Sequence, residues 1–128
     1  MSTQWKLLVA IAALLLALAT AAAAAGSHAL DGVLEPRALR SFETAVRLQF
    51  YHGLGLLALP FLAERFGAPR LFALAAWMLV AGTVLFCGGV YSSAFGAPLG
   101  SVAPIGGMTL IAGWLVVVGA AIVGRRGD

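Results

Sequence analysis

Few side chains here can do chemistry, and most of them gather around one stretch. The chain has two histidines, His28 and His52, with Glu43, Gln49 and Tyr51 close to the second. Two imidazoles at similar depth on adjacent helices are a minimal haem-ligand arrangement, and one such ring can serve a proton path. The competing reading is structural: each ring caps a helix end or bonds a neighbour such as Gln49, Tyr51 or Glu43. With no ligand-spacing motif present, the structural reading is the stronger, and no metal or other cofactor is expected. Glu43 and Arg47 stand at i, i+4 in the favourable order. Exposed, such a pair contributes about 0.3 to 0.5 kcal/mol; enclosed, it would fix the register of its helix. Ser92 and Ser93 have no His or Asp nearby in sequence, so a hydrolase has no visible nucleophile and base. No Gly-x-Ser-x-Gly elbow, phosphate loop or dinucleotide fingerprint appears. The lone Cys87 excludes an intramolecular disulfide and a multi-cysteine metal site. The expectation is a protein that is not an enzyme.

What positions these residues is a membrane. Of 128 residues, 62% are hydrophobic and only 10% are charged, whereas a soluble domain carries roughly 25% charge. The net charge of +3 includes no basic cluster longer than Arg125-Arg126, so nucleic acid is not an expected partner. Leu7 to Ala25, Leu71 to Tyr91 and Val102 to Val123 are free of charge and run 19, 21 and 22 residues, close to the about 20 that a bilayer requires. A fourth stretch, Leu48 to Ala63, has 16 residues and holds Gln49 and His52. It follows an amphipathic segment that opens with Pro36, a residue suited to a helix's first turn. One helix from about Pro36 to Phe66 is therefore expected, interfacial over about 36–47 and spanning thereafter. The whole chain, 1–128, reads as a single all-α integral membrane domain. Its spans fall at about 5–26, 42–65, 70–92 and 102–124.

Four spans put Lys6, Arg65, Arg70, Arg125 and Arg126 on one side and Arg37, Arg40 and Arg47 on the other. That asymmetry favours both termini in the cytoplasm, with the chain in the cell inner membrane. The first span also has features of a secretory signal, but its 19 apolar residues exceed the usual h-region of about 7 to 15. It is expected to be retained.

Lipid gives helices no hydrophobic gain for associating, so small residues that let backbones approach must do the work. Gly106, Gly113 and Ala120 recur every seven residues in the fourth span, as do Ala75, Gly82 and Gly89 in the third and Ala10, Ala17 and Ala24 in the first. A compact bundle of four transmembrane helices is expected, with Gly82, Gly89, Gly106 and Gly113 at its contacts. In the second span Ala45, Gln49, His52, Gly53, Leu56 and Pro60 share one face, which should point inward because polar groups at membrane depth face protein. His28, Glu43, Gln49 and His52 are expected to form one hydrogen-bonded polar cluster. Phe66-Gly67-Ala68-Pro69 and Phe95-Gly96-Ala97-Pro98 read as two turns.

The ordered set Gly26-Ser27-His28-Ala29-Leu30, Phe42-Glu43-Thr44-Ala45-Val46-Arg47, Gln49-Phe50-Tyr51-His52, Pro104-Ile105-Gly106-Gly107 and Gly113-Trp114 resembles the YgdD-like family of small four-span inner-membrane proteins (domain of unknown function 423). The resemblance covers nearly the whole chain and implies a retained first span; it brings no established reaction. The chain departs from the family pattern at Ala23-Ala24-Ala25-Gly26-Ser27-His28, where the family has Gly-Ala-Phe-Gly-Ala-His, and at Leu48, where the family usually has Tyr.

Three function classes follow. The leading one is a structural or accessory component that packs against a larger membrane complex or forms a homo-oligomer in the lipid bilayer. The second is a small transporter or oligomeric pore using the face with His28, Gln49 and His52. The third is a haem-binding or proton-relay protein using the two histidines.

Overall fold

The computed structural model describes residues 2–124, and these form four α-helices in chain order: α1 (Thr3–Ser27), α2 (Pro36–Phe66), α3 (Pro69–Ala94) and α4 (Val102–Val123). Local sequence sets the ends. The Ser2 hydroxyl accepts the Trp5 amide at 3.3 Å and so starts α1. Pro36 and Pro69 occupy the first turns of α2 and α3, where a missing amide hydrogen is no loss. Gly67 closes α2 at φ 69° and Gly96 follows α3 at φ 87°; both are in the left-handed region that a glycine enters without steric penalty. Arg125 and Arg126, counted above for orientation, lie outside the described residues.

Three of the helices, α1, α3 and α4, are long and apolar enough to cross a membrane. α2 is not among them, because charges occupy its first third and only Leu48 to Ala63 is free of charge. Its 31 residues are nonetheless one uninterrupted helix, and the buried face includes Ala45, Gln49, His52, Gly53, Leu56 and Pro60.

α2 and α3 form the middle of the molecule. α1 packs on α2 and touches the edge of α3, while α4 packs on α3; α1 and α4 share no packed interface. The core accordingly runs through Leu8, Ala12, Leu56, Leu59, Phe72, Ala76 and Leu79. The bundle is thus less closed than the four-way packing expected from the seven-residue repeats.

The glycines on α3 and α4 explain their close approach. A Cβ added at Gly82 would lie 2.7 Å from Leu110 and 3.0 Å from the Gly106 carbonyl, and one at Gly89 would lie 3.0 Å from the Ala103 nitrogen. At Gly113 it would meet Leu79 at 3.0 Å, and at Gly106 it would collide with the backbone nitrogen of Phe86. All four glycines stand in the α3–α4 seam.

On α1 the buried heptad is Trp5, Ala12, Ala19 and Gly26, so the expected stripe of Ala10, Ala17 and Ala24 corrects to an outward face. In so alanine-rich a helix several phases offer equally small residues. The larger Leu16, seated over Gly53, and Phe42, seated over Gly26, select the one observed.

Candidate functional site

The buried polar residues concentrate where α1, α2 and α3 meet. Gln49 is 5% exposed, and its carboxamide is engaged at both ends. Nε2 donates to the Leu15 carbonyl of α1 at 2.7 Å, and Oε1 accepts the Tyr91 hydroxyl of α3 at 2.7 Å. One side chain therefore fastens three helices. Just above it, the Phe42 ring lies 5.0 Å from Tyr91 and 6.3 Å from Phe95, an aromatic cover over the junction.

Two more α3 side chains donate to nearby backbone. The Cys87 thiol donates to the Ala45 carbonyl of α2 at 3.3 Å, and the Thr83 hydroxyl donates to the Leu79 carbonyl at 2.7 Å. Thr83, Cys87 and Tyr91 are spaced by four, which puts them along one ridge of α3. That spacing is the one sequence signal for Tyr91 and Cys87, and it does not point to Gln49 as the partner of Tyr91. A tyrosine near a span's end is more often an interfacial anchor.

His52 is also buried, facing another neighbour. Its Nδ1 lies 2.6 Å from the Leu48 carbonyl; since a carbonyl only accepts, Nδ1 is the donor in this contact. The ring stands 5.9 Å from the indole of Trp114 on α4. Trp114 also covers Gly55, where an added Cβ would fall 2.7 Å from the indole.

His28 and Glu43 lie elsewhere. Both are exposed, and neither bonds to Gln49 or His52. His28 closes α1 through its backbone amide, which donates to the Ala24 carbonyl at 3.1 Å. Arg47 turns to the Thr44 hydroxyl at 3.2 Å instead of to Glu43. The expected four-residue cluster is therefore a pair of inward residues, Gln49 and His52, and a pair of outward ones. The expected similar depth of the two histidines is corrected as well. Gly26 packs against Phe42 and Gly53 against Leu16, so the end of α1 is level with Phe42. His52 lies ten residues further along α2, about 15 Å at 1.5 Å per residue. The apolar stretch that opens at Leu48 puts His52 about one turn into the span, whereas α1 ends level with Phe42, well before that stretch begins.

Residues 22–107 match the family model described as "Protein of unknown function (DUF423)". The chain belongs to this family. It is 34% identical over 119 residues to the UPF0382 membrane protein YwdK of Bacillus subtilis, an alignment covering 91% of this chain and 97% of that protein. A UPF0382 membrane protein of Staphylococcus haemolyticus is 35% identical, with 88% and 93% covered. One from Haemophilus influenzae is 30% identical, with 70% and 72% covered. No solved structure matches. The family match spans α2 and α3 entirely, and with them Gln49, His52, Cys87 and Tyr91. Like its relatives, this DUF423 chain is a membrane protein whose family has no assigned activity.

Proposed function

We propose that this DUF423 protein is a four-span protein of the cell inner membrane with both termini in the cytoplasm, and that it works as a non-enzymatic accessory component, packed against a larger membrane complex or against further copies of itself. The observation that carries the reading is the use made of the buried polar groups. Gln49 joins α1 to α3 with both ends of its amide, and the Cys87 thiol donates to the backbone of α2. These groups fasten helices, each such interhelical bond contributing about 0.6 kcal/mol on average in a membrane.

Support for α2 as the fourth span comes from its outward face. Below Arg47 that face presents Tyr51, Leu54 and Phe61, each at least 58% exposed, a surface suited to lipid and costly in water. Orientation is supported by Lys6, Arg65 and Arg70 at one end against Arg37, Arg40 and Arg47 at the other, with Arg125 and Arg126 adding to the first group.

Purification in mild detergent tests the functional reading. A protein recovered in fixed stoichiometry, or a defined homo-oligomer, supports it; a lone monomer in every mild detergent overturns it. Ion conductance of the reconstituted protein would turn the reading towards an oligomeric pore. Reporter fusions at Asp128 that are active only outside the cytoplasm would reverse the orientation.

A further inference from the structure

Among the described residues, three arginines on the first third of α2 have no acidic partner. Arg37, Arg40 and Arg47 are exposed, and none forms an ion pair with a described residue. At 100° per residue they fall within about 80° of arc; Arg40 and Arg47 lie on the side of α2 opposite Ala45 and Gln49, and Arg37 at the edge of that arc nearer His52. Arg47 donates to the Thr44 hydroxyl, which donates in turn to the Arg40 carbonyl at 3.0 Å, so Arg40, Thr44 and Arg47 make one ridge.

Beside this ridge, between α1 and α2, runs an open groove of about 280 Å³. Ala22, Ala23 and Gly26 of α1 form one wall, Phe42 and Phe50 of α2 the other, and Arg47 stands at the rim. Arg47 brings a cation to a groove whose walls are otherwise small and aromatic side chains, with Ser27 and Glu43 its other polar members. The groove leads down to the part of α2 where Leu54 and Phe61 face outward. A ligand that fits carries an anionic group at one end and a hydrocarbon tail at the other. Guanidinium groups match phosphate oxygens in bidentate geometry, and basic side chains at headgroup level attract anionic lipid. The small side chains of α1 leave room for a methylene chain against the aromatic rings. Glu43 also lines the groove, and its charge repels a free phosphate dianion more than a singly charged phosphodiester.

We propose that the α1–α2 groove, with Arg47 at its rim and Arg40 two turns away on the same ridge of α2, binds one anionic phospholipid, its phosphate held by the two guanidinium groups and one acyl chain lying along Phe50. The proposal rests on the reading that α2 enters the bilayer near Arg47.

Native mass spectrometry of the full-length protein in non-ionic detergent tests it, with equal amounts of phosphatidylglycerol and phosphatidylcholine of matched chains. The wild type is expected to retain one phosphatidylglycerol with a preference of roughly tenfold. The Arg40→Gln/Arg47→Gln variant is expected to lose that preference, and Arg37→Gln to keep it. Ala23→Trp, which fills the groove and leaves both arginines, should lose the bound lipid; Ala22→Leu serves the same purpose if the first variant does not fold. Equal retention of the two lipids by the wild type overturns the proposal. So does unchanged binding when the groove is filled, or an equal loss in Arg37→Gln, which would mean diffuse attraction. Displacement of the lipid by excess inorganic phosphate would assign the rim to a free anion and also overturn it. The underlying placement of α2 is read separately: Leu54→Cys should resist a water-soluble maleimide, and rapid labelling would mean that α2 lies outside the bilayer.

Discussion

Replacing Gly106 by alanine adds one methyl group at the tightest point between α3 and α4. The new Cβ would lie 2.8 Å from the Gly82 carbonyl oxygen and would overlap the backbone nitrogen of Phe86. Both obstacles are main chain, so no side-chain rotation relieves them, and the helices must part by about 0.5 to 1 Å. A gap of that size forfeits roughly a quarter to a half of each contact's depth. If the loss is confined to one leucine's worth of seam, roughly 40 contacts of about 0.15 kcal/mol, then a third of their depth is about 2 kcal/mol. Gly119 is the matched control: it is on the same helix, and an added Cβ there meets nothing within 4 Å. Alanine's higher helix propensity, worth about 1 kcal/mol, applies at both sites and cancels in the comparison. Gly106→Ala is therefore expected to be about 2 kcal/mol less stable than Gly119→Ala. Reversible unfolding in mixed micelles with increasing denaturing detergent, followed by helicity, measures the difference. Equal stabilities within about 0.5 kcal/mol would show that the seam yields freely and would refute the reasoning.

Gln49→Leu should destabilise by about 1 to 3 kcal/mol, because two interhelical bonds go and the Tyr91 hydroxyl is left unpaired. Tyr91→Phe should be milder, at about 0.5 to 1.5 kcal/mol, and the double variant should cost less than the sum of the two; strict additivity would mean that the two side chains do not act together. Cys87 is 3% exposed and should react with a maleimide only after unfolding, so rapid labelling of the folded protein would contradict its burial. His28→Ala and His52→Ala should be additive in stability, given the distance of about 15 Å between their levels; coupling above about 0.5 kcal/mol would show that the rings share an environment.

Elements with strong punctuation or a strong contrast between faces were legible in the sequence. Pro36, Gly67 and Pro69 mark helix ends by backbone chemistry alone. The inward face of α2 followed from Gln49 and His52, polar groups that at membrane depth face protein. The glycines of α3 and α4 could be singled out because a hydrogen side chain in a span invites another helix. The phase of α1 could not be read, since alanines on every side leave the choice to Leu16 and Phe42, residues that act across 37 and 16 positions of sequence. The relative depth of the two histidines depended on which part of α2 the end of α1 packs against, Phe42 as it proves, and hydropathy marks only where a helix becomes apolar. The bond from Tyr91 to Gln49 crosses 42 positions, and no local pattern encodes which polar residue of a neighbouring helix comes opposite.

The order of packing in this molecule follows the order of the chain, and this has a bearing on how it is made. α1 rests on α2, α2 on α3 and α3 on α4, so each large interface joins helices that leave the ribosome one after the other. Closing such neighbours costs little loop entropy. Gln49 can take the Leu15 carbonyl as soon as the first hairpin exists and then receive the Tyr91 hydroxyl when α3 arrives. The seam of glycines closes last. A chain stopped before Val102 already contains every partner of Gln49, so a three-helix intermediate can hold its polar junction away from lipid while the final helix is still being synthesised.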